Sequence, residues 1–199
     1  MRQSCVKLLI LLVLVSTPAI AFDKGDVGKL VANFVCSGCD LRGAHFLGTN
    51  LIGANLSSSD LRGISLFGRS SDLRGADLRL ADLSQSILWR VDLSNADLSQ
   101  ANLSDASLAG GSLIGAVLHQ ANLRGADLRK VFLFDADLRR ADLRNANLDG
   151  AYFCRTVMPS GEENNSGCYY YAVCRPPERP SKAASAVCIE GDCVYGPCG

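Results

Sequence analysis

Proline is missing from residues 22–157, histidine occurs only as His45 and His119, and the formal net charge over 199 residues is zero. Each shortage excludes something. Residues 159–197 by contrast contain five prolines, so one uninterrupted unit is excluded and a boundary falls near Arg155. Without net charge, the simple electrostatic case for a nucleic-acid partner is absent. The two histidines fall at separate places, and no spacing brings Ser, His and Asp together. Phosphate-loop and metal-loop motifs are also missing, so the sequence predicts no enzyme, no cofactor and no metal. The longest apolar run, residues 8–15, has eight members, far short of the ~20 that a membrane span needs.

What the chain has instead is a five-residue rhythm. A small residue, then most often Asp or Asn, then Leu recurs as in Ala76-Asp77-Leu78, Ala96-Asp97-Leu98, Ala121-Asn122-Leu123 and Ala141-Asp142-Leu143. On an α-helix at about 100° per residue, these leucines would step by roughly 140° and form no stripe. On one long strand they would alternate between opposite sides. A short extended piece satisfies the pattern, with the small residue and the Leu pointing inward and the other residues turning a corner. Repeated turning closes a coil, and stacked coils pair at about 4.8 Å. The position two after each Leu then carries the turn, which accounts for Gly43, Gly53, Gly75, Gly115, Gly125 and Gly150, with Asn95 and Asn145 in the same role.

These units resemble the pentapeptide-repeat family, and 23 of them run from Cys39 to Phe153 with 21 Leu and two Phe at their centres. The resemblance implies an all-β fold, a right-handed, quadrilateral (four-sided) β-helix. Ile64, Val91 and Val131 enlarge the small site, and two extra residues between Leu66 and Leu73 read as a corner bulge. Four sides per coil would stack residues twenty apart. One outer face then carries Asp40, Asp60, Asp82, Asn102, Asn122 and Asp142 beside Arg42, Arg62, Ser84, Ser104, Arg124 and Arg144. The repeat does not require outward apolar residues, so two clusters stand out as a candidate interaction patch: Leu47, Phe67 and Trp89 on one face, and Ile114, Phe132, Phe134 and Tyr152 on another.

The flanks read differently. Residues 1–21 have the form of a secretory signal, with Arg2 and Lys7 before the apolar run and Ala19-Ile20-Ala21 as a cleavage site. Its removal leaves a charge of −2 and eight cysteines, for which disulfides are the expectation in an oxidising compartment: periplasm, thylakoid lumen or medium. Residues 22–38 form an N-terminal cap containing a helical turn or two with Asp26 as its N-cap. Cys36-Ser37-Gly38-Cys39 invites a redox or zinc reading, but no βαβ pattern surrounds it and no second pair lies nearby, so a structural disulfide is preferred. The repeats occupy residues 39–154. A Cys-rich tail, residues 155–199, holds Cys168, Cys174, Cys188, Cys193 and Cys198, which with Cys154 make six and leave the pairing open. The tail is too short for its own core, so it is expected to be disulfide-stapled and to fold back on the second apolar cluster from Cys154. Arg175 to Pro180 reads as an extended connector, with a proline-motif ligand as the alternative reading of the same residues.

Two functions compete. One is a non-enzymatic, exported structural or interaction scaffold with an unknown protein partner, monomeric or homodimeric, with no membrane span in the mature chain. The other is implied by the resemblance, in which some family members mimic duplex DNA and bind topoisomerases. Charge weighs against the second. A rod of ~28 Å would match DNA carrying ~16 negative charges, whereas residues 36–153 hold 13 acidic and 12 basic side chains.

Overall fold

The computed structural model describes residues 23–67, 71–168, 187–189 and 192–194. A helix, α1 (Lys24–Asn33), precedes a long stack of coils. Parallel bridges run from Val35↔Asn55 to Asp137↔Val157, and most join residues twenty apart, which is four five-residue units per rung. The bridges sort the outward second position of each unit into four columns, headed by Val35, Asp40, His45 and Asn50. Where the columns pass the two extra residues, partners become 22 apart, as in Asp60↔Asp82, and then return to twenty. One corner therefore absorbs the insertion with no change of register. The side chains at that corner lie outside the described residues.

Three hydrogen bonds per unit tie a coil to its neighbour. Leu98 N–H donates to Val117 O at 2.7 Å, Gln100 N–H to His119 O at 2.9 Å, and Asp97 N–H to Ala76 O at 2.9 Å. Inside each unit the small residue closes the turn on the preceding Leu, as in Ala101 N–H to Leu98 O at 3.0 Å. The backbone is thus fully used along the rod, which is why proline is absent from it.

The turn residue always has positive φ, and this goes beyond the glycines. Leu80, Gln85, Arg90, Gln100, Gln120, Lys130 and Arg140 all lie between φ 56° and 60°. Left-handed backbone is unfavourable for such residues, but at Gln100 it is held by the turn bond and the rung bond just described. Only a few glycines are needed for space. A Cβ on Gly111 would lie 2.8 Å from Val91 O and 3.0 Å from Leu108 O.

Inward Leu and small residues form the core. Leu41 to Leu138 at the centres are no more than 2% exposed, as are Ala76, Ala96 and Ala126 at the small site. Ser86 occupies one small site with its hydroxyl buried and unpartnered. Ser59 occupies another, but its hydroxyl donates to Cys36 O.

The rod is capped at its start. Asp23, not Asp26, caps α1: its carboxylate accepts from Gly25 N–H at 2.6 Å. Asp26 lies in the first turn, where its carboxylate accepts from Asp40 N–H at 3.0 Å and from Lys29 Nζ. It therefore satisfies the edge of the first coil rather than the end of the helix, a role that depends on contact with a residue fourteen positions away. Leu30 and Val27 bury against the coil. Cys36 and Cys39 are disulfide-bonded and both buried.

At the far end the chain reverses. Strand β3 (Thr156–Val157) pairs antiparallel with β4 (Glu163–Asn164), after the parallel pair β1 (His45–Leu47) and β2 (Ser65–Phe67). Cys154 is bonded to Cys168 across 14 residues, and closing such a loop contributes about 3 kcal/mol. A separate antiparallel pair, β5 (Val187–Ile189) and β6 (Asp192–Val194), sets Cys188 opposite Cys193. Cys174, Cys198 and the tyrosines 169–171 lie outside the described residues.

Candidate interaction surface

The outer surface is built by one local rule. Each Asp or Asn before a central Leu accepts a hydrogen bond from the backbone N–H just after that Leu: Arg74 to Asp72 at 3.0 Å, Ser84 to Asp82 at 3.0 Å, Asp149 to Asn147 at 3.0 Å. The short polar side chain mimics a backbone turn, which is what Asx residues do well. Where Arg follows the Leu, its guanidinium also grips the same carboxylate, as in Arg79 Nε and Nη2 on the two oxygens of Asp77 at 2.8 and 2.7 Å.

The predicted charged ladder is present. Asp40, Asp60, Asp82, Asn102, Asn122 and Asp142 follow one another through bridges. Asn102 donates to Asp82 at 3.0 Å and Asn122 to Asn102 at 2.9 Å, so side-chain amides run along the stack as well. Hydrogen bonds from arginine hold the carboxyls of Asp77, Asp127 and Asp137 below the usual carboxylate range. Arg144 brings Asp142 down to about 2. These carboxylates are occupied by their own neighbours, and such a surface offers an incoming cation little field.

The His45 column is different. Ile87 and Trp89, two apart on one extended piece, are 48% and 47% exposed. Arg90 lies 4.6 Å over the Trp89 ring, a cation–π contact that orients the indole while leaving much of it in water. Ser107, Ala109 and Gly110 lie in the next rung of this side, so nothing bulky screens the indole there. Leu47 and Phe67 occupy the corresponding positions of the two preceding rungs, in register with each other. Their side chains lie outside the described residues. Sequence reasoning picked out Trp89 but passed over Ile87, whose signal was plain: an apolar residue where the repeat wants Asp or Asn.

The second cluster is brought together but is not a bare patch. Phe132 stacks on Tyr152 with ring centroids 4.9 Å apart, and Phe132 meets Phe134 at 5.7 Å. Phe134, expected at the surface, is only 2% exposed. Its rung lies between those of Ile114 and Cys154, since Gly115 N–H donates to Phe134 O and Asp135 N–H to Cys154 O. Ile114, Phe132 and Tyr152 are half-buried. Outwardness in the repeat does not guarantee exposure once neighbours twenty residues away are large.

His45 heads one column, and His119 lies beside Val117 in another, several rungs further along the stack. Among the described residues no group of His, Cys, Asp and Glu could hold a metal ion, and no helix is long and apolar enough to cross a membrane.

The family model for pentapeptide repeats matches residues 35–67, 69–100, 101–140 and 136–160, in eight copies. The chain therefore belongs to the pentapeptide-repeat family, whose fold is a right-handed β-helix. Among solved structures it is similar to HetL, involved in heterocyst differentiation regulation in the cyanobacterium Nostoc sp. strain PCC 7120, at 24% identity over 72% of this chain and 100% of that one, with a TM-score of 0.41. It is also similar to a pentapeptide-repeat protein of the Arabidopsis thaliana thylakoid lumen, at 30% identity over 56% and 74% of the two chains, TM-score 0.31. QnrB1, a plasmid-mediated fluoroquinolone resistance protein, matches at 20% identity over 59% and 64%, TM-score 0.38. None of the curated protein sequences matches this chain.

Proposed function

We propose that this protein is an exported, non-catalytic rod that serves as an interaction scaffold, engaging a protein partner through the His45 column around Ile87 and Trp89. The observation that carries the reading is that Ile87 and Trp89, two large apolar side chains about half exposed, stand two apart on one extended piece, whereas Ile52, Leu80 and Val117 are exposed elsewhere on the rod. A flat, rigid Trp with an adjacent Arg has the composition of a binding hot spot. The rod is a four-sided solenoid with a disulfide-stapled tail, and its removable leader sends it to the periplasm, a thylakoid lumen or the medium, where the cysteines oxidise. Non-catalytic action fits a surface in which the aspartates that precede the central leucines are committed to their own turns.

The test is capture from the native exported fraction. Mature wild-type protein is expected to retain a partner that Trp89→Glu and Ile87→Ser lose, with melting temperatures within a few degrees of wild type. Identical retention by all three would overturn the reading. The competing function, topoisomerase binding by DNA mimicry, makes a different prediction: strong protection of supercoiling activity by the mature protein.

A further inference from the structure

The backbone edge of the first coil is closed on two sides and open on two. On the Asp40 side α1 closes it, since Asp26 accepts from Asp40 N–H at 3.0 Å and Asp23 N–H donates to Asp40 O at 3.1 Å. On the Asn55 side the incoming chain supplies a rung, with Asn55 N–H donating to Phe34 O at 2.8 Å. The residue before each central Leu or Phe turns both its N–H and its C=O toward the preceding coil, as in Asp60 N–H to Cys39 O at 2.9 Å and Leu41 N–H to Asp60 O at 2.9 Å. His45 and Asn50 have no preceding coil. Among the described residues, β1 pairs with β2 alone and Asn50 bridges only to Asp72, so the outward N–H and C=O groups of His45 and Asn50 have no partner.

This edge lacks the usual protection. Proteins shield a free strand edge with charge, proline or a bulge, yet no Asp, Glu, Lys, Arg or Pro lies between Arg42 and Asp60. His45 and Asn50 are exposed, as is Ile52. The inward side chains behind the edge are already covered: Phe46 and Leu51 are buried, and Val27 and Leu30 of α1 belong to the same cluster. What stays open from His45 to Ile52 is backbone.

The geometry selects the occupant. A helix spends its N–H and C=O groups internally and has none to give the edge. The flat end of a second rod is held off, because α1 stands on this end and a helix with its side chains is about 10 Å thick, against ~4.8 Å for one rung. A single extended chain fits beside α1. It also continues onto the face already assigned to a partner, since β1 heads the column in which Ile87 and Trp89 follow two rungs on.

We propose that the protein partner adds an uncharged extended segment to the His45–Ile52 edge, as a rung before the first. The segment donates to His45 O and Leu47 O, accepts from His45 N–H, and does the same at Ile52 O and Asn50, as each coil does for the coil after it. Strand addition of this kind takes its affinity from main-chain hydrogen bonds. This mode of attachment rests on the His45 column being a protein-binding face.

The probe is a capped, uncharged peptide of about eight alternating Thr and Val residues, which favour extended chain. Amide hydrogen exchange of oxidised mature protein is the readout. His45 and Asn50 are expected to exchange as exposed amides in the free protein, and about 10-fold more slowly with millimolar peptide. The same peptide N-methylated at alternate residues cannot donate to the edge and should have no effect. His45→Pro removes one donor and sets a ring on the edge. It should abolish the slowing at Asn50 while Leu108, deep in the rod, stays as protected as in wild type. No slowing by the unmodified peptide overturns the proposal. So does slow exchange of His45 in the free protein: a fixed value means that the chain covers its own edge, and one that rises with protein concentration means that a second copy does. Trp89→Glu separates the two claims, because it tests the column while leaving the edge intact. The peptide effect should survive it; loss of the effect in Trp89→Glu would place the peptide on the column and defeat strand addition.

Discussion

Replacing Leu103 by Lys is the sharpest perturbation of the leucine axis. Leu103 is 0% exposed at mid-rod, and its N–H donates to Asn122 O at 2.7 Å. Its neighbours in the stack, Leu83 and Leu123, are 1% and 0% exposed and offer an ammonium no opposite charge. Losing the buried isobutyl group costs about 2 kcal/mol by area alone. Placing an unpaired charge or a forcibly neutralised amine in the same space adds several kcal/mol more. The sum is comparable with the ~5–15 kcal/mol that holds a typical domain together. At ~2–4 °C per kcal/mol for a chain of this size, the melting temperature should fall by more than about 10 °C. Thermal unfolding followed by circular dichroism on oxidised mature protein measures it. Ser104→Lys, one position along and outward, is the control and should shift it by no more than ~2 °C. If Leu103→Lys melts within a few degrees of wild type, the inward assignment of the central leucines is wrong.

Ser86→Ala removes a buried hydroxyl that has no partner and should stabilise by about 1 kcal/mol, read as a higher denaturation midpoint; Ser59→Ala should do the opposite, because that hydroxyl is bonded to Cys36 O. Gly111→Ala should destabilise by at least ~2 kcal/mol, because the new Cβ meets backbone carbonyls on two coils. The aspartates gripped by arginine have folded pKa values below the ordinary 3.8, with Asp142 near 2. Their contribution is therefore complete above about pH 4 and is lost as pH falls through the folded values, so thermal stability should be flat from pH 8 to 5 and decline between about pH 4 and 2; a decline starting above pH 5 would contradict the assignment. Titration of the denatured mature protein with a thiol reagent should find no free thiol. Two reactive thiols at Cys36 and Cys39 would restore the redox reading.

The coil, its direction of burial and its turns were legible in the sequence because they are local. Within five residues, a small residue and a Leu two apart must face together, and the Asp or Asn between them always finds the N–H two positions on. No distant partner is needed, so the pattern survives in 23 units. The choice of Trp89 was legible for the same reason, as an apolar residue that the repeat does not call for.

Other features waited for the tertiary structure because they depend on neighbours a whole coil away or on the ends of the stack. Leu80, Gln85 and Arg90 adopt left-handed backbone that their side chains resist, and the hydrogen bond to the next rung holds them there together with the local turn bond. Phe134 faces outward by pattern yet is buried, because Phe132, Ile114 and the disulfide-bonded Cys154 surround its site. Asp26 lost the helix cap to Asp23 because the edge of the first coil offered it the N–H of Asp40. The return of residues 163–168 over the last coil follows from the same cause: a repeat satisfies its own sides, but its final edge must be closed by a chain that no longer repeats.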